Sequence, residues 1–411
     1  MPIHRPTRAS RAGAVLVLSL VAFCVLLLTL ALVIDGGLIY GKRAEVAKAV
    51  DAAAIAAINN MSLGQGAAAQ LARDMFLANY RMTPQDASAP DVVVQFQTDA
   101  NGSTAVDIRA TAHLRPLFLR VIPEFREFDV RASAQAVRAQ LVMSLVLDRS
   151  GSMGGNGGCI ALPPAVDTFV GFFNEATDRA SLVTFASNAR VDVPMSRPFI
   201  GRIRAAVPRD CAIDYGGYTF FDGGLQLAGR ENANAVIGPG EQIVKVVVFF
   251  TDGLANTFQD TFNCPPATTW NLTSGDTDAF ATLLDPATGD FRCNAESGSF
   301  PCCPDLTTFA SVLGGTRHAT GPEAATDVRQ EAKDRARLRA KQIRTAGSIV
   351  YTIGLGNEID QDFLREIAND PSSPAYDPSQ PAGEFALAPT PADLQFVFQV
   401  IARKILVRIS I

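Results

Sequence analysis

Asp148, Ser150 and Ser152 stand at alternate positions directly after an apolar run, in the string DRSGS. Two more oxygen-bearing points follow along the chain. Thr219 ends GGYT ahead of a helical stretch, and Asp252 follows VVVFFT and precedes Gly253. The set offers two carboxylates and three hydroxyls, with no thiolate or imidazole. Hard divalent cations take such ligands, Mg²⁺ first and Ca²⁺ or Mn²⁺ after it, and Mg²⁺ commonly keeps waters or a foreign oxygen in its shell. Two formal negative charges against a divalent ion leave it electrophilic, able to accept a carboxylate from a partner. The same residues have a plainer use, hydroxyls capping helices and acids making turns. Ser150 as a nucleophile, or a metal-dependent hydrolase, would need a general base. The three histidines lie at 4, 113 and 318, far from the string, so a non-enzymatic protein is expected.

The elements that must position these residues are legible in the hydropathy pattern. Apolar runs at 141–147, 180–186, 243–250 and 348–355 alternate with helical stretches near 163–176, 221–230, 323–345 and 360–368. Runs that are apolar on both faces and separated by helices predict a mostly parallel sheet covered on both sides. The expected fold of 140–411 is thus a doubly wound α/β domain, with its site at the carboxyl ends of the strands. A helix near Pro391–Lys404 closes it. Between Thr257 and Pro322 the pattern lapses into Thr, Pro, Gly and Asn with four cysteines and the only Trp, Trp270. A loop of that length without structure is improbable, so 257–322 reads as a disulfide-stapled insertion. Its acids Asp276, Asp278, Asp285 and Asp290 read as solvated loop charges rather than a second Ca²⁺ site, and Asn271-Leu272-Thr273 fits a glycosylation sequon.

The stretch from about 141 to 370 resembles a von Willebrand factor type A domain. The motif of its metal-ion-dependent adhesion site is Asp-x-Ser-x-Ser, then Thr, then Asp-Gly, and Asp148, Ser150, Ser152, Thr219 and Asp252 match all five positions. The resemblance implies a divalent ion whose open position binds an acidic side chain of another protein. It places Asp148, Ser150, Ser152 and Thr219 nearest the ion, with Asp252 acting through a water or from behind the direct ligands.

Ala12 to Ile34 is an uncharged run of 23 residues, long enough to cross a hydrocarbon core of about 30 Å. It exceeds the h-region of a signal peptide and lacks small residues at a cleavage site, so a retained anchor is expected. Basic residues flank it on both sides (Arg5, Arg8, Arg11; Lys42, Arg43, Lys48) and leave orientation to the cysteines. Cys24 lies in the run, while Cys159, Cys211, Cys264, Cys293, Cys302 and Cys303 all lie in the C-terminal part. An even set outside the cytosol reads as three disulfides. That favours a short cytoplasmic tail, 1–11, and a large outer part. Cys159 and Cys211 both belong at the metal edge, where a bridge would tie two ligand loops; adjacent Cys302 and Cys303 would pair with Cys264 and Cys293 rather than with each other.

In the segment 35–139, Leu38–Met61 continues the membrane helix outward and Ala67–Tyr80 forms a second helix. Asp91–Thr98, Thr104–Ala112 and Phe128–Ala139 read as a three-strand meander with a turn at Ala100-Asn101-Gly102. One long helix backed by such a meander is the outline of a pilin-like α+β module. Arg11-Ala12-Gly13, the apolar run, DGGLIY at 35–40 and AEVAKAVDAAAIAA resemble the TadE/TadG-like N-terminal region of bacterial tight-adherence (Flp) pilus assembly. With a C-terminal type A domain, the order looks TadG-like. A prepilin cut after Gly13 would place Glu where this chain has Leu18, so retention in the bacterial inner membrane is expected, with the C-terminal domain periplasmic.

The chain's 411 residues suit two or three domains, and its 48% apolar content excludes a disordered chain. A net charge of −5 gives no case for nucleic acid binding. The functional expectation is a membrane-anchored pilus-assembly component that binds pilins, assembly proteins or a surface ligand through the cation. The alternative is a minor pilin-like subunit of the fibre or its tip.

Overall fold

The computed structural model describes residues 9–409 except 62–63, 99–103, 156, 210–216, 240, 265–266, 275–279, 295–302 and 304–305. Its contacts divide the chain into two units, one ending at Arg138 and the other running from Ala139 to Ile409.

The first unit opens with α1, Ala9–Asn59. Its apolar stretch from Val15 is exposed, and the helix is long and apolar enough to cross a membrane. Past residue 45 the helix changes character. Val46, Ala49, Val50, Ala53, Ala54 and Ala57 recur every three or four residues and are buried, the spacing of one helical face. They pack on α2 (Gln65–Asn79) and on a three-stranded antiparallel sheet, β1 (Asp91–Thr98), β2 (Thr104–Leu114) and β3 (Phe128–Arg138). Val106, Ile108, Ala110, Ala112 and Leu114 alternate inward along β2, as the two-residue period of a strand requires. The helix-plus-meander outline is therefore the observed one. The turn expected at 100–102 lies outside the described residues.

The second unit is a six-stranded sheet with helices on both faces. In chain order it comprises β4 (Gln140–Asp148), α3 (Gly151–Gly155), α4 (Gly158–Val170), β5 (Arg179–Phe185), β6 (Ala189–Ser196), α5 (Ile200–Ala206), α6 (Phe221–Ala233) and β7 (Ile243–Thr251). The insertion strands follow: β8 (Thr257–Cys264), β9 (Ala267–Thr273), β10 (Thr282–Leu284), β11 (Phe291–Asn294), β12 (Thr308–Ala310) and β13 (Thr316–His318). Then come α7 (Ala324–Thr345), β14 (Ser348–Leu355), α8 (Gln361–Ala368), β15 (Glu384–Ala388) and α9 (Leu394–Ile409).

The sheet order is β15-β14-β7-β4-β5-β6, parallel but for β6 at the edge. Every residue of β4 is buried. Leu141, Met143, Leu145 and Leu147 face one core with α4 and α9, whereas Val146 faces the other with α6, α7 and α8. The chain leaves β4 toward β5 on one side and later returns to β7 on the other. This is a topological switch point, where ligands of such sheets bind at the carboxyl edge.

Several boundaries differ from expectation. The helix expected at 163–176 spans Gly158–Val170, with Pro163 and Pro164 inside it. Gly157, at φ 72°, starts it early. The two lost backbone donors are offset by Leu162, Ala165, Val166 and Phe169, all fully buried. Its end is set by Asp178, whose carboxylate accepts the amides of Asn174 and Leu141 at 2.9 and 3.0 Å and draws the chain into β5. The closing helix runs past Lys404 because Ile405 and Ile409 continue its buried face. The edge strand β6 buries only Val193, and α5 and β15 have only seven and five residues, so none gives a periodic signal.

The described residues of the insertion are mostly strands. Its strands form a four-stranded antiparallel sheet, β11-β10-β9-β8, and a separate hairpin, β12-β13. Phe258, Trp270, Leu272, Leu283 and Phe309 enter the core shared with α7. Arg335 of α7 clamps β8, donating to the carbonyl of Gln259 at 2.7 Å and to Asp260 while lying over the Phe258 ring. Cys264 and Cys303 form a disulfide, a pairing of the kind expected. Cys302 lies outside the described residues. Asn271 of the sequon is fully buried, its amide donating to the carbonyl of Ser187 at 3.0 Å, so the sequon is a structural asparagine in this fold. Asp285 binds Arg292 at 2.8 Å and two turn amides, which hold its carboxyl below the usual range; Asp276 and Asp278 lie outside the described residues.

Gly383, just before β15, has no room for a side chain. A Cβ there would sit 1.7 Å from the carbonyl oxygen of Val350 and 2.7 Å from that of Ala368. Backbone on two sides cannot yield as a side chain would, so Gly383→Ala should cost about 2–4 kcal/mol, read as a lower melting temperature than the wild-type chain.

Candidate metal centre

Asp148 is the last residue of β4 and Thr251 the last of the neighbouring β7, whose register pairs Leu147 with Phe250. That register sets the Thr251 hydroxyl against Asp148, to which it donates at 2.5 Å. The other Asp148 oxygen accepts the amide of Ser150 at 2.8 Å. The turn so formed leads into α3 and presents Ser150 Oγ and Ser152 Oγ 3.1 Å apart. Ser152 Oγ in turn donates to Asp252 Oδ1 at 2.6 Å. Four of the five expected residues are therefore joined by one run of hydrogen bonds.

Thr219 reaches the same place by close backbone contact. Gly151 donates to the carbonyl of Gly217 at 3.3 Å, and a Cβ on Gly217 would meet Gly151 N and Cα at 3.0 Å. Gly217 also has φ +61°, a conformation that favours glycine. The two glycines let the loops cross at contact distance. A Cβ on Gly253 would lie 3.4 Å from Ser152 Oγ and 3.6 Å from Thr219 Oγ1, which puts both hydroxyls beside one spot. Asn256 then locks the arrangement: its Oδ1 accepts the Thr219 amide at 2.7 Å, and its own amide donates to the Thr219 carbonyl at 3.2 Å.

Burial decides the electrostatics. Asp148 has no exposed surface and Asp252 almost none. Loss of water, then the neighbouring Asp252 charge, push the Asp148 carboxyl upward, against the hydrogen bonds that favour its ionised form. The buried Arg149 guanidinium donates to Asn188 Oδ1 at 2.5 Å and to Thr184 at 3.3 Å. Burial and Arg190 lower it to about 10, so it remains a cation at neutral pH behind the oxygen cluster.

The cluster opens on a cleft of about 1040 Å³ whose walls include Ser152, Thr219, Asp252, Asn256, Lys333 and Arg365. Lys333 bonds Asp360 at 2.7 Å and Arg365 bonds Asp362 at 3.1 Å. Both cations of the rim are thus paired locally, and Glu358 adds a further carboxylate to the cleft wall. Thr251, Asn256 and Arg149 were absent from the sequence-derived set. A hydroxyl beside Asp252 at a strand end was the available signal for Thr251. Nothing in the sequence marks Asn256 or Arg149, whose partners are 37 and 39 residues away.

Of the expected Cys159–Cys211 bridge, Cys159 is disulfide-bonded and Cys211 lies outside the described residues.

Residues 143–254 match the family model of the von Willebrand factor type A domain. No curated protein matches the chain. Among solved structures, proximal thread matrix protein 1 from the mussel byssus is similar at 14% identity and TM-score 0.38, over 64% of this chain and 48% of that one. The chain thus spans about half the length of the mussel protein. The PilB minor pilin of Streptococcus sanguinis aligns at 13% identity and TM-score 0.39, over 78% and 79%. The vWF domain of the type V pili tip protein Mfa5 from Porphyromonas gingivalis aligns at 16% and 0.40, over 66% and 97%.

The raised Asp148 carboxyl has a signed consequence. Without a cation, the folded chain holds a proton there between 3.8, the ordinary value, and about 7, where the unfolded chain has lost it. Stability is then lost as pH rises through that window. In chelator, Asp148→Asn should lessen this decline, as thermal melts at about pH 5 and about pH 8 will show.

Proposed function

We propose that this protein is a membrane-anchored, non-enzymatic component of a tight-adherence (Flp) pilus assembly system, which captures a partner protein through a divalent cation. The observation that carries the reading is the convergence of Asp148, Ser150, Ser152, Thr219 and Asp252 at the carboxyl edge of the sheet, beside an open cleft. The donor set fits a hard cation. It is all oxygen, its two carboxylates are both buried, and burial, then the Asp252 charge that a cation would offset, pushes Asp148 toward protonation. When bound, the ion would supply an electrophilic position for an oxygen ligand, and Mg²⁺ suits the donors best.

The chain's own residues do the rest. Asp148, Ser150, Ser152 and Thr219 would hold the ion, with Asp252 orienting Ser152 and standing close behind. Thr251 and the Ser150 amide keep the Asp148 carboxylate aimed, and Asn256 fixes the height of Thr219. The partner's contribution would be an acidic side chain entering the cleft. Support for the pilus setting comes from the TadE/TadG-like sequence of the first 60 residues. The exposed apolar part of α1 supports an inner-membrane anchor, and the disulfide-bonded cysteines of the second unit support its place in the periplasm. The apolar part of α1 also permits a second reading, a minor pilin-like subunit whose helix packs among other helices in the fibre or tip. Recovery in sheared pili would select that reading, and recovery only with inner membranes the first.

The test is capture from native membranes by the full chain, with Mg²⁺ and with chelator, read by mass spectrometry. Asp148→Ala should lower cation affinity by more than about 10-fold, since even outer-shell partners of a metal cost that much, and should lose the chelator-sensitive partners while the fold persists. Partners retained equally by the variant would refute the cation bridge.

A further inference from the structure

The first unit carries an exposed apolar loop tied to the outer end of the α1 apolar run. Asp35 is the first charged residue after that run and has no exposed surface. Its carboxylate accepts the amides of Leu117, Phe118 and Leu119 at 2.8, 3.0 and 2.7 Å, from more than 80 residues away. Three charge-assisted bonds thus hold the β2–β3 connection at the level where the apolar helix ends. This loop then does what soluble loops avoid. Val121 is 83% exposed and Phe118 49%, and Leu117, Ile122 and Phe125 are also exposed. Arg120 and Arg126 are exposed among them, with the exposed Glu124 between. Arg115 pairs with Glu127 at 3.0 Å across the loop's base, and Phe125 stacks on Phe128, so the shape is braced.

We infer that residues 117–126 lie in the headgroup and upper acyl region of the bilayer, as a second membrane contact docked on α1 by Asp35. The inference rests on reading α1 as the anchor. Continuity selects the occupant. The loop is bonded to the residue that ends the apolar run, so a membrane crossed by that run is within its reach. Clustered exposed apolar side chains mark interaction surfaces. Arginines among bulky apolar residues suit an interface with anionic lipid headgroups. Two contacts would also restrict rotation of the first unit about its helix, which a single tether leaves free.

The experiment places the full chain in vesicles of phosphatidylcholine and phosphatidylglycerol and introduces Val121→Trp at this exposed position. Wild type, whose Trp270 is buried, serves as the blank. The difference emission should be blue-shifted and should be quenched when the phosphatidylcholine is brominated in its upper acyl chains. Emission at the water-exposed value without quenching overturns the inference. Blue-shifted emission without bromine quenching also overturns it, because a protein surface such as a second copy then covers the loop. Leu26→Trp reads the anchor separately. Quenching at 26 but not at 121 sinks the loop alone, whereas none at 26 sinks the anchor reading and this inference with it. Adding Asp35→Asn to Val121→Trp should reduce the quenching; unchanged quenching would overturn the docking role of Asp35.

Discussion

A carboxylate at the end of a strand with no water on either face is the constraint around which the second unit is arranged. Asp148 ends β4, whose nine residues are all buried. An ionised group in such a place is costly unless its oxygens are bonded and its charge is met. The Ser150 amide and the Thr251 hydroxyl meet the first need. Asp252, hydrogen-bonded through Ser152, makes the second need greater, since it adds a like charge to a site that is already dry. The arrangement is poorly explained as a self-sufficient polar core. In the function proposed above it is half of a site whose other half is a cation.

The supporting structure is spread over the chain. Arg149 links the Asp-x-Ser-x-Ser turn to Asn188, and Asn188 donates to the carbonyl of Ala287 in the insertion at 2.7 Å. Asn271, also in the insertion, holds the carbonyl of Ser187. The insertion therefore buttresses the 186–188 loop behind the oxygen cluster, while its other side is fastened to α7 by Arg335. Charge satisfaction governs the first unit as well. Lys42 is buried, bonded to the carbonyl of Arg81 at 2.7 Å and to Asp86 at 3.1 Å, over the ring of Tyr80. It joins α1 to the chain leaving α2, just as Asp35 joins α1 to the β2–β3 loop.

What was legible followed from periodicity and strict spacing. Four doubly covered strands announced themselves as apolar runs because β4, β5, β7 and β14 have core on both faces. The start and end of β1 coincided with expectation because its period of two stops at turn residues. Asp148, Ser150, Ser152, Thr219 and Asp252 could be picked out because the motif puts fixed residue types after recognisable strands. Less was legible where cost and compensation lie far apart. The helix expected near 163–176 begins at Gly158, and only the buried face from Leu162 to Phe169 shows how two prolines inside it are tolerated. The insertion resisted reading because its strands are short and its apolar residues pack on α7, which follows it in the chain. Asn271 had the pattern of a surface sequon, and burial alone shows its use.

By itself, the sequence determined the secondary-structure alternation, the α/β class, the apolar N-terminal helix and the identity of five oxygen donors, because each depends on residues close together or on a repeating pattern. Only the tertiary structure decided that those donors share one edge, that Thr251 and Asn256 aim them and that Asp35 reaches the 117–119 amides. These depend on strand order and on single hydrogen bonds between residues 37 to 103 positions apart, and a bond across such a distance leaves no periodic trace in either of the segments that make it.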